Sequence, residues 1–250
     1  MDDSVSWEVR CYPDRSILTR RAAEEIAHRM RRAIALKGRC AVALAGGHTP
    51  RPVYHRLAEE HGHRLPWDRI HLFWGDERYV PPDDPQSNYG MVRQTLLDRI
   101  SLPEENVHPM PTHISPPEEA ARAYEQTLRS FFGDAGPTFD LVLLGVGADG
   151  HTASLFPGSP ALRERARWVV VTEAPVEPRR RLSLTLPAIN AADQVMFLVS
   201  GEEKRPVMRA LLDEPQRART LYPAAMVRPR GSVAWFVDRA ALAEPEDSLR

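Results

Sequence analysis

The chain has 250 residues, a formal net charge of −1, 42% hydrophobic and 27% charged residues. That is the composition of a globular protein long enough to bury a substantial core, read as one α/β domain over 1–250. It speaks against a disordered chain, a membrane-spanning one, since no apolar run approaches the ~20 residues needed, and a dedicated nucleic-acid binder, which carries a basic excess.

The start, MDDSVSWEVR, shows no basic region followed by an apolar stretch, so no secretory signal is expected. Cys11 and Cys40 form neither a metal-type cluster nor a disulfide framework, which makes a reducing cytoplasm the default. Of the 33 basic residues only Lys37 and Lys204 are lysine, so each lysine is a rare choice in an arginine-rich composition.

Taken in order, Ser6–Cys11 is the first strand candidate. A helical stripe follows at Ala22, Ala23, Ile26, Ala27, Met30, Ala33 and Ile34. Short apolar runs of strand length recur at Ala41–Ala45, Ile70–Trp74, Leu141–Val146, Val169–Val171, Val195–Val199 and Val233–Val237. Further helical stripes lie at Val53–Ala58, Val92–Ile100 and Val207–Leu212. Unalternated apolar strands between amphipathic helices predict a doubly wound, mostly parallel sheet with helices on both faces. In such sheets ligands bind beyond the carboxyl ends of strands, so the segments after each run are the ones to inspect.

After the second strand comes Gly46-Gly47-His48-Thr49-Pro50. The glycines permit a tight turn, Thr49 is a candidate N-cap and Pro50 suits a first helical position. The free N–H groups of such a helix start suit a phosphate, although a plain capped turn reads equally well. It is not a Walker loop, because the spaced glycine and the lysine are missing.

After Ile70–Trp74 come Asp76, Glu77 and Arg78, then Asn88. The cluster reads either as a solvated loop or, through Arg78, as a clamp for phosphate or carboxylate; Asn88 reads as a cap or a ligand.

After Leu141–Val146, Gly145, Gly147 and Gly150 satisfy G-x-G-x-x-G, but Pro157, Gly158 and Pro160 interrupt the long helix a dinucleotide loop must open. Asp149-x-His151 is more informative. An imidazole beside a carboxylate at a strand end is a candidate general base, with a capping histidine as the alternative. No histidine pair has zincin spacing, so no metal and no cofactor is expected. Finally Arg181 precedes an apolar stretch, and Lys204 stands in the first turn of a helix, against the dipole preference for acids there.

Five segments together resemble the 6-phosphogluconolactonase family of sugar-phosphate lactonases of the pentose phosphate pathway. They are ALAGGHTP, FWGDERYVPPDDPQSNYG, FDLVLLGVGADGHTASLFPG, RRLSLTLPAIN and FLVSGEEK, in family order. The resemblance implies a modified Rossmann-like fold shared with glucosamine-6-phosphate deaminase. It implies hydrolysis of 6-phospho-D-glucono-1,5-lactone to 6-phospho-D-gluconate, with His151 as general base and Asp149 beside it. Arg78, Arg181 and Lys204 would bind phosphate or substrate oxygens, with N–H groups from Gly46, Gly47, His48 and Thr49. Asp76 and Asn88 would position sugar hydroxyls or water. His48 departs from the family's usual serine in the glycine turn. A lactone is an activated ester, so the chemistry obliges neither a covalent nucleophile nor a metal. The expected partner is a small sugar-phosphate lactone, with no nucleic acid, membrane or obligate protein partner. Two other readings stand beside it: a glucosamine-6-phosphate deaminase/isomerase, and a non-catalytic sugar-phosphate sensor, which normally carries an appended DNA-binding domain for which the early first strand leaves no room.

Overall fold

A computed structural model describes residues 6–242. Half of the segment read for a secretory signal, residues 1–5, therefore lies outside the described residues. The strands are β1 (Ser6–Tyr12), β2 (Cys40–Leu44), β3 (Ile70–Trp74), β4 (Asp76–Arg78), β5 (Val107–His108), β6 (Leu141–Leu144), β7 (Val169–Glu173), β8 (Arg180–Leu184), β9 (Gln194–Val199) and β10 (Ser232–Asp238). The helices are α1 (Arg15–Lys37), α2 (Pro50–His61), α3 (Asn88–Thr95), α4 (Pro117–Phe132), α5 (Leu186–Asn190), α6 (Arg205–Asp213), α7 (Pro215–Leu221) and α8 (Arg239–Leu242).

Seven strands form one sheet in the order β1-β10-β9-β6-β2-β3-β5, and every neighbouring pair in it is parallel. All five residues of β2, CAVAL, are buried. Successive side chains of a strand point to opposite faces, so burial at every position means that both faces are covered. Phe197 of β9 stacks on Trp235 of β10 with ring centroids 3.9 Å apart, and α1 adds Leu18, Ala22, Ile26 and Met30 to the same core.

The strand order fixes where a ligand can sit. From β2 the chain moves outward to β3 and β5, then returns to β6 on the other side of β2 and continues to β9 and β10. The connections after β2 and β6 therefore leave their carboxyl ends in opposite directions. This switch point opens a crevice between two neighbouring strands.

The sequence reading missed a second sheet. Strands β4, β8 and β7 form a separate antiparallel sheet, and the apolar run at Val169–Val171 belongs to it rather than to the parallel sheet. A short apolar run looks the same in either environment, so its pattern could not assign it. The Asp76–Arg78 segment, read as a strand end or loop, is itself a strand.

Two buried tyrosines finish the strands that lead to the crevice. The Tyr54 hydroxyl, from α2, accepts from the Ala45 N–H (2.9 Å) and donates to the Ala45 carbonyl (2.8 Å). The Tyr124 hydroxyl, from α4, treats Trp74 in the same way, at 2.8 and 3.1 Å. Each satisfies a backbone pair that would otherwise be buried and unpaired.

Candidate active site

A cleft of about 400 Å³ lies at the carboxyl ends of β9, β6, β2 and β3. Gly46, Gly47, His48, Thr49, Asp76, Arg78, Asn88, His151, Arg181 and Lys204 all line it. The structure thus gathers ten of the eleven sequence-predicted site residues on one wall or another.

The glycine turn follows β2. Gly47 has φ 97°, a conformation suited to glycine. Thr49 does not cap α2: its backbone is already helical and its side chain makes no cap hydrogen bond. The start of α2 is served instead by Pro50, which lacks an N–H to satisfy. Among the described residues the N–H groups of Gly47, His48 and Thr49 have no partner, which leaves a cluster of donors on the cleft. The turn's third residue, His48, has its carbonyl held by the Arg15 guanidinium from the start of α1. Gly46 lies flat against Asn88: a Cβ there would fall 1.8 Å from Asn88 Oδ1.

On β4, Glu77 turns inward, and its carboxylate accepts from the N–H groups of Arg78, Asn88 and Tyr89, each at 2.7 Å. It anchors the start of α3, whose N-cap is Ser87 rather than Asn88. Burial pushes the Glu77 carboxyl up to about 7, against the pull of those three donors. Asn88 instead gives its side-chain N–H to the Asp76 carbonyl at 2.9 Å. Asp76 also accepts the Ser154 hydroxyl at Oδ2, 2.6 Å. Its carboxylate is thereby held at the cleft wall.

Arg78 and Arg181 stand directly opposite each other across β4 and β8. Like charges in that register repel. Arg181 is 6% exposed, yet its Nε and Nη1 have no hydrogen-bond partner. Burial, and next the charge of Arg78, pull its pKa below the usual arginine range. Lys204 closes a short 3-10 turn ahead of α6, with the Glu203 carboxylate 3.9 Å from its Nζ. The cleft therefore gathers cations whose natural counter-charge is an anion from solution.

His151 sits beyond β6. Its Nδ1 is 2.5 Å from Asp149 Oδ1, and its ring leans on Phe156 with centroids 4.7 Å apart. A carboxylate offers only lone pairs, so this contact puts the ring proton on Nδ1 and leaves the lone pair on Nε2. Asp149 itself does not line the cleft. Its carboxylate meets the cleft through the His151 ring it holds. Gly147 makes room for the pair: a Cβ there would meet His151 Nδ1 at 2.1 Å and Asp149 Oδ1 at 2.4 Å. No long helix follows this loop, in line with its prolines.

Arg15, Ser154, Phe156 and Glu203 also line the cleft and escaped the sequence reading. Ser154 and Phe156 lie within a segment already singled out. Arg15, remote in sequence, carried no local signal. Among the described residues no group of three or more His, Cys, Asp or Glu side chains is arranged to hold a metal ion, and no helix is long and apolar enough to cross a membrane.

Comparison with known proteins decides the family. The profile of glucosamine-6-phosphate isomerases/6-phosphogluconolactonase matches residues 13–235. The chain belongs to this family. It is similar to a 6-phosphogluconolactonase of Nostoc, 44% identical over 239 residues, covering 94% of this chain and 97% of that protein. A 6-phosphogluconolactonase of Mycobacterium tuberculosis is 37% identical over 247 residues, covering 96% and 99%. Among solved structures, a Thermotoga maritima 6-phosphogluconolactonase superimposes with a TM-score of 0.80 at 36% identity, covering 93% of this chain and all of that one. A monomeric glucosamine-6-phosphate deaminase has the same fold, TM-score 0.79 at 23% identity, covering 97% and 100%. The parallel sheet is thus a fold that this chain shares with that deaminase.

Proposed function

We propose that this family member is a 6-phosphogluconolactonase, hydrolysing 6-phospho-D-glucono-1,5-lactone to 6-phospho-D-gluconate in the oxidative pentose phosphate pathway. The observation that carries the reading is that one cleft brings together two groups with different needs. Arg181, opposite Arg78, is buried with unpartnered donors. His151 is an imidazole whose orientation a carboxylate fixes. A sugar phosphate that also carries a reactive carbonyl meets both requirements.

Arg78, Arg181 and Lys204, with the N–H groups of the Gly46–Thr49 turn, bind the phosphate. That places the lactone end toward His151, and the remote binding energy is spent on orientation. Asp76 and Asn88 face the sugar hydroxyls. His151 Nε2 takes a proton from water as the water oxygen attacks C1. The carbonyl electrons move onto its oxygen and form a tetrahedral oxyanion. Collapse restores the carbonyl and breaks the C1–O5 bond, and His151 returns the proton to O5. Asp149 stabilises the imidazolium in between. General-base assistance of this kind contributes ~10²–10⁴-fold.

The test is loss of freshly prepared 6-phosphoglucono-δ-lactone, corrected for spontaneous hydrolysis, beside ammonia release from glucosamine 6-phosphate. Lactone loss above the blank without ammonia release is expected. Ammonia release without lactone loss would make the protein a deaminase.

A further inference from the structure

The loop that carries His151 contains a residue in an unusual state. Ala153 has φ 47°, and among the described residues it is the one non-glycine residue in the left-handed region. L residues enter that region at a cost and stay there when their surroundings over-determine them. Both neighbours of Ala153 are pinned. Thr152 is fully buried and donates its hydroxyl to the Gly145 carbonyl at 2.9 Å. Its own carbonyl accepts the Leu155 N–H at 2.9 Å. Ser154, 2% exposed, gives its N–H to Ser183 Oγ at 3.2 Å and its hydroxyl to Asp76 Oδ2 at 2.6 Å. The turn is thus tied to β6, to β8 and to β4, and Ala153 is left on the cleft wall between them.

Between Gly147 and Ser154, the cleft-lining stretch around the base, one backbone donor is left over; Val146 and Phe156, at the two ends of the same loop, also line the cleft with N–H groups that have no partner among the described residues. Gly147, His151, Ala153 and Ser154 all line the cleft. Gly147 gives its N–H to the His151 carbonyl, His151 gives its N–H to Asp149, and Ser154 gives its N–H to Ser183. The Ala153 N–H has no partner among the described residues. It is a backbone donor on a rigid turn, two residues from the base. The reaction derived above places a new negative charge on the C1 oxygen, and fixed donors near the base are what such a charge requires.

We propose that the Ala153 N–H is the oxyanion donor of the hydrolysis, and that Ser154, through its bond to Asp76, is a positioning residue that holds this donor in place. As the water oxygen bonds to C1, the carbonyl π electrons pass to the C1 oxygen, and the Ala153 N–H receives the resulting alkoxide. The donor keeps its proton throughout. It releases the oxygen when the carbonyl re-forms and the C1–O5 bond breaks. The Ser154–Asp76 bond joins the wall that stabilises the oxyanion to the wall that faces the sugar hydroxyls, so sugar binding and transition-state binding share one rigid frame. The inference rests on the lactonase reading of this cleft.

Replacing Ala153 with lactic acid, by incorporation of the α-hydroxy acid, exchanges the N–H for an ester oxygen and leaves the side chain and chirality unchanged. With the lactone as substrate, kcat is expected to fall ~10²-fold. KM and the inhibition constant of inorganic phosphate should stay within about twofold, because they report binding shared by ground and transition states. A kcat within about threefold of the unsubstituted enzyme overturns the proposal. Should the ester chain not fold, the unsubstituted, ¹⁵N-labelled protein supplies the test. 6-Phosphogluconate presents a carboxylate oxygen at C1 and should shift the Ala153 amide proton downfield, whereas inorganic phosphate should not. An Ala153 amide that 6-phosphogluconate leaves in place overturns the assignment. Ser154→Ala should lower kcat while KM changes less, and an unchanged kcat removes Ser154 from its role. Lactone turnover by the unsubstituted enzyme, measured alongside, separates these outcomes from a failure of the lactonase reading itself.

Discussion

The Tyr54 hydroxyl takes both backbone hydrogen bonds of Ala45, the residue that links β2 to the glycine turn. Tyr54→Phe keeps the ring and leaves a buried N–H and a buried carbonyl unpaired. A loss of about 2–6 kcal/mol in unfolding free energy follows, at ~1–3 kcal/mol per stranded group. Urea denaturation measures it. A folded variant should also show a raised KM, since the turn proposed to give its N–H groups to the phosphate begins one residue later. Unchanged stability would mean that the backbone finds other partners.

Gly147→Ala tests whether the His151–Asp149 pair needs the space beside it. The added methyl would meet both His151 Nδ1 and Asp149 Oδ1 well inside contact distance. The imidazole must then turn away, and kcat should fall by ~10²-fold, the lower end of general-base contributions. KM should change less, because the added methyl meets His151 and Asp149 rather than Arg78, Arg181 or Lys204. Near-normal turnover in this variant would detach the pair from catalysis.

Lys204→Ala and Arg181→Ala test the two kinds of phosphate contact proposed here. Lys204 is partly exposed beside Glu203, and its removal should raise KM with kcat largely kept. Arg181 is buried opposite Arg78 and has free donors, so its removal should cost more, in KM and in kcat together. It should also raise the stability of the ligand-free protein, since it relieves a buried charge facing another of the same sign. Thermal melts with and without inorganic phosphate measure this. A destabilised ligand-free Arg181→Ala protein would contradict it.

His71 on β3 and His108 on β5 pair at 3.2 Å between Nδ1 and Nε2, packed against Phe73 and Phe131. Burial lowers both, His108 to about 4 with the neighbouring His71 adding to the effect. A histidine depressed in the folded state contributes stability that is complete above its unfolded value near 6.5. That contribution is lost as pH falls toward 4. Urea midpoints should therefore drop between pH 6.5 and 4, and His108→Phe should flatten the decline. Glu77 slopes the other way. Its raised pKa gives a contribution present below about 4.5 and lost as pH rises through about 7. An acid limb unchanged in His108→Phe would rule out the pair as its source.

The parallel sheet was legible because its strands are buried on both faces and read as unbroken apolar runs. β3 matches its predicted bounds, and β2, β6, β9 and β10 lie within one or two residues of theirs. The cleft was legible in part for the same reason: most of the segments singled out follow strands of the parallel sheet, and the glycine turn, Arg78, Asn88, Arg181 and Lys204 line one cleft. The separate antiparallel sheet was not legible, since three short strands have no turn signal that sets them apart. Nor was the inward turn of Glu77, because a buried carboxylate and a solvated one have the same letters around them. Arg15 reaches the site only through the packing of α1 against α2, a long-range relationship that no local pattern encodes. The expectation that Thr49 caps α2 failed because its backbone is already helical and Pro52, at the third helical position, has no N–H for a cap to accept.

The central claim is that a base held by Asp149 activates water in this cleft. Its most direct test is the lactone turnover of His151→Asn, measured against an enzyme-free blank at each pH. Asparagine keeps a polar group of similar reach but cannot accept the proton from water. The account predicts a folded protein with kcat reduced by ~10²-fold or more, KM changed far less, and the acid-side fall in kcat/KM abolished. A folded His151→Asn enzyme that turns over the lactone at near the unsubstituted rate would contradict it.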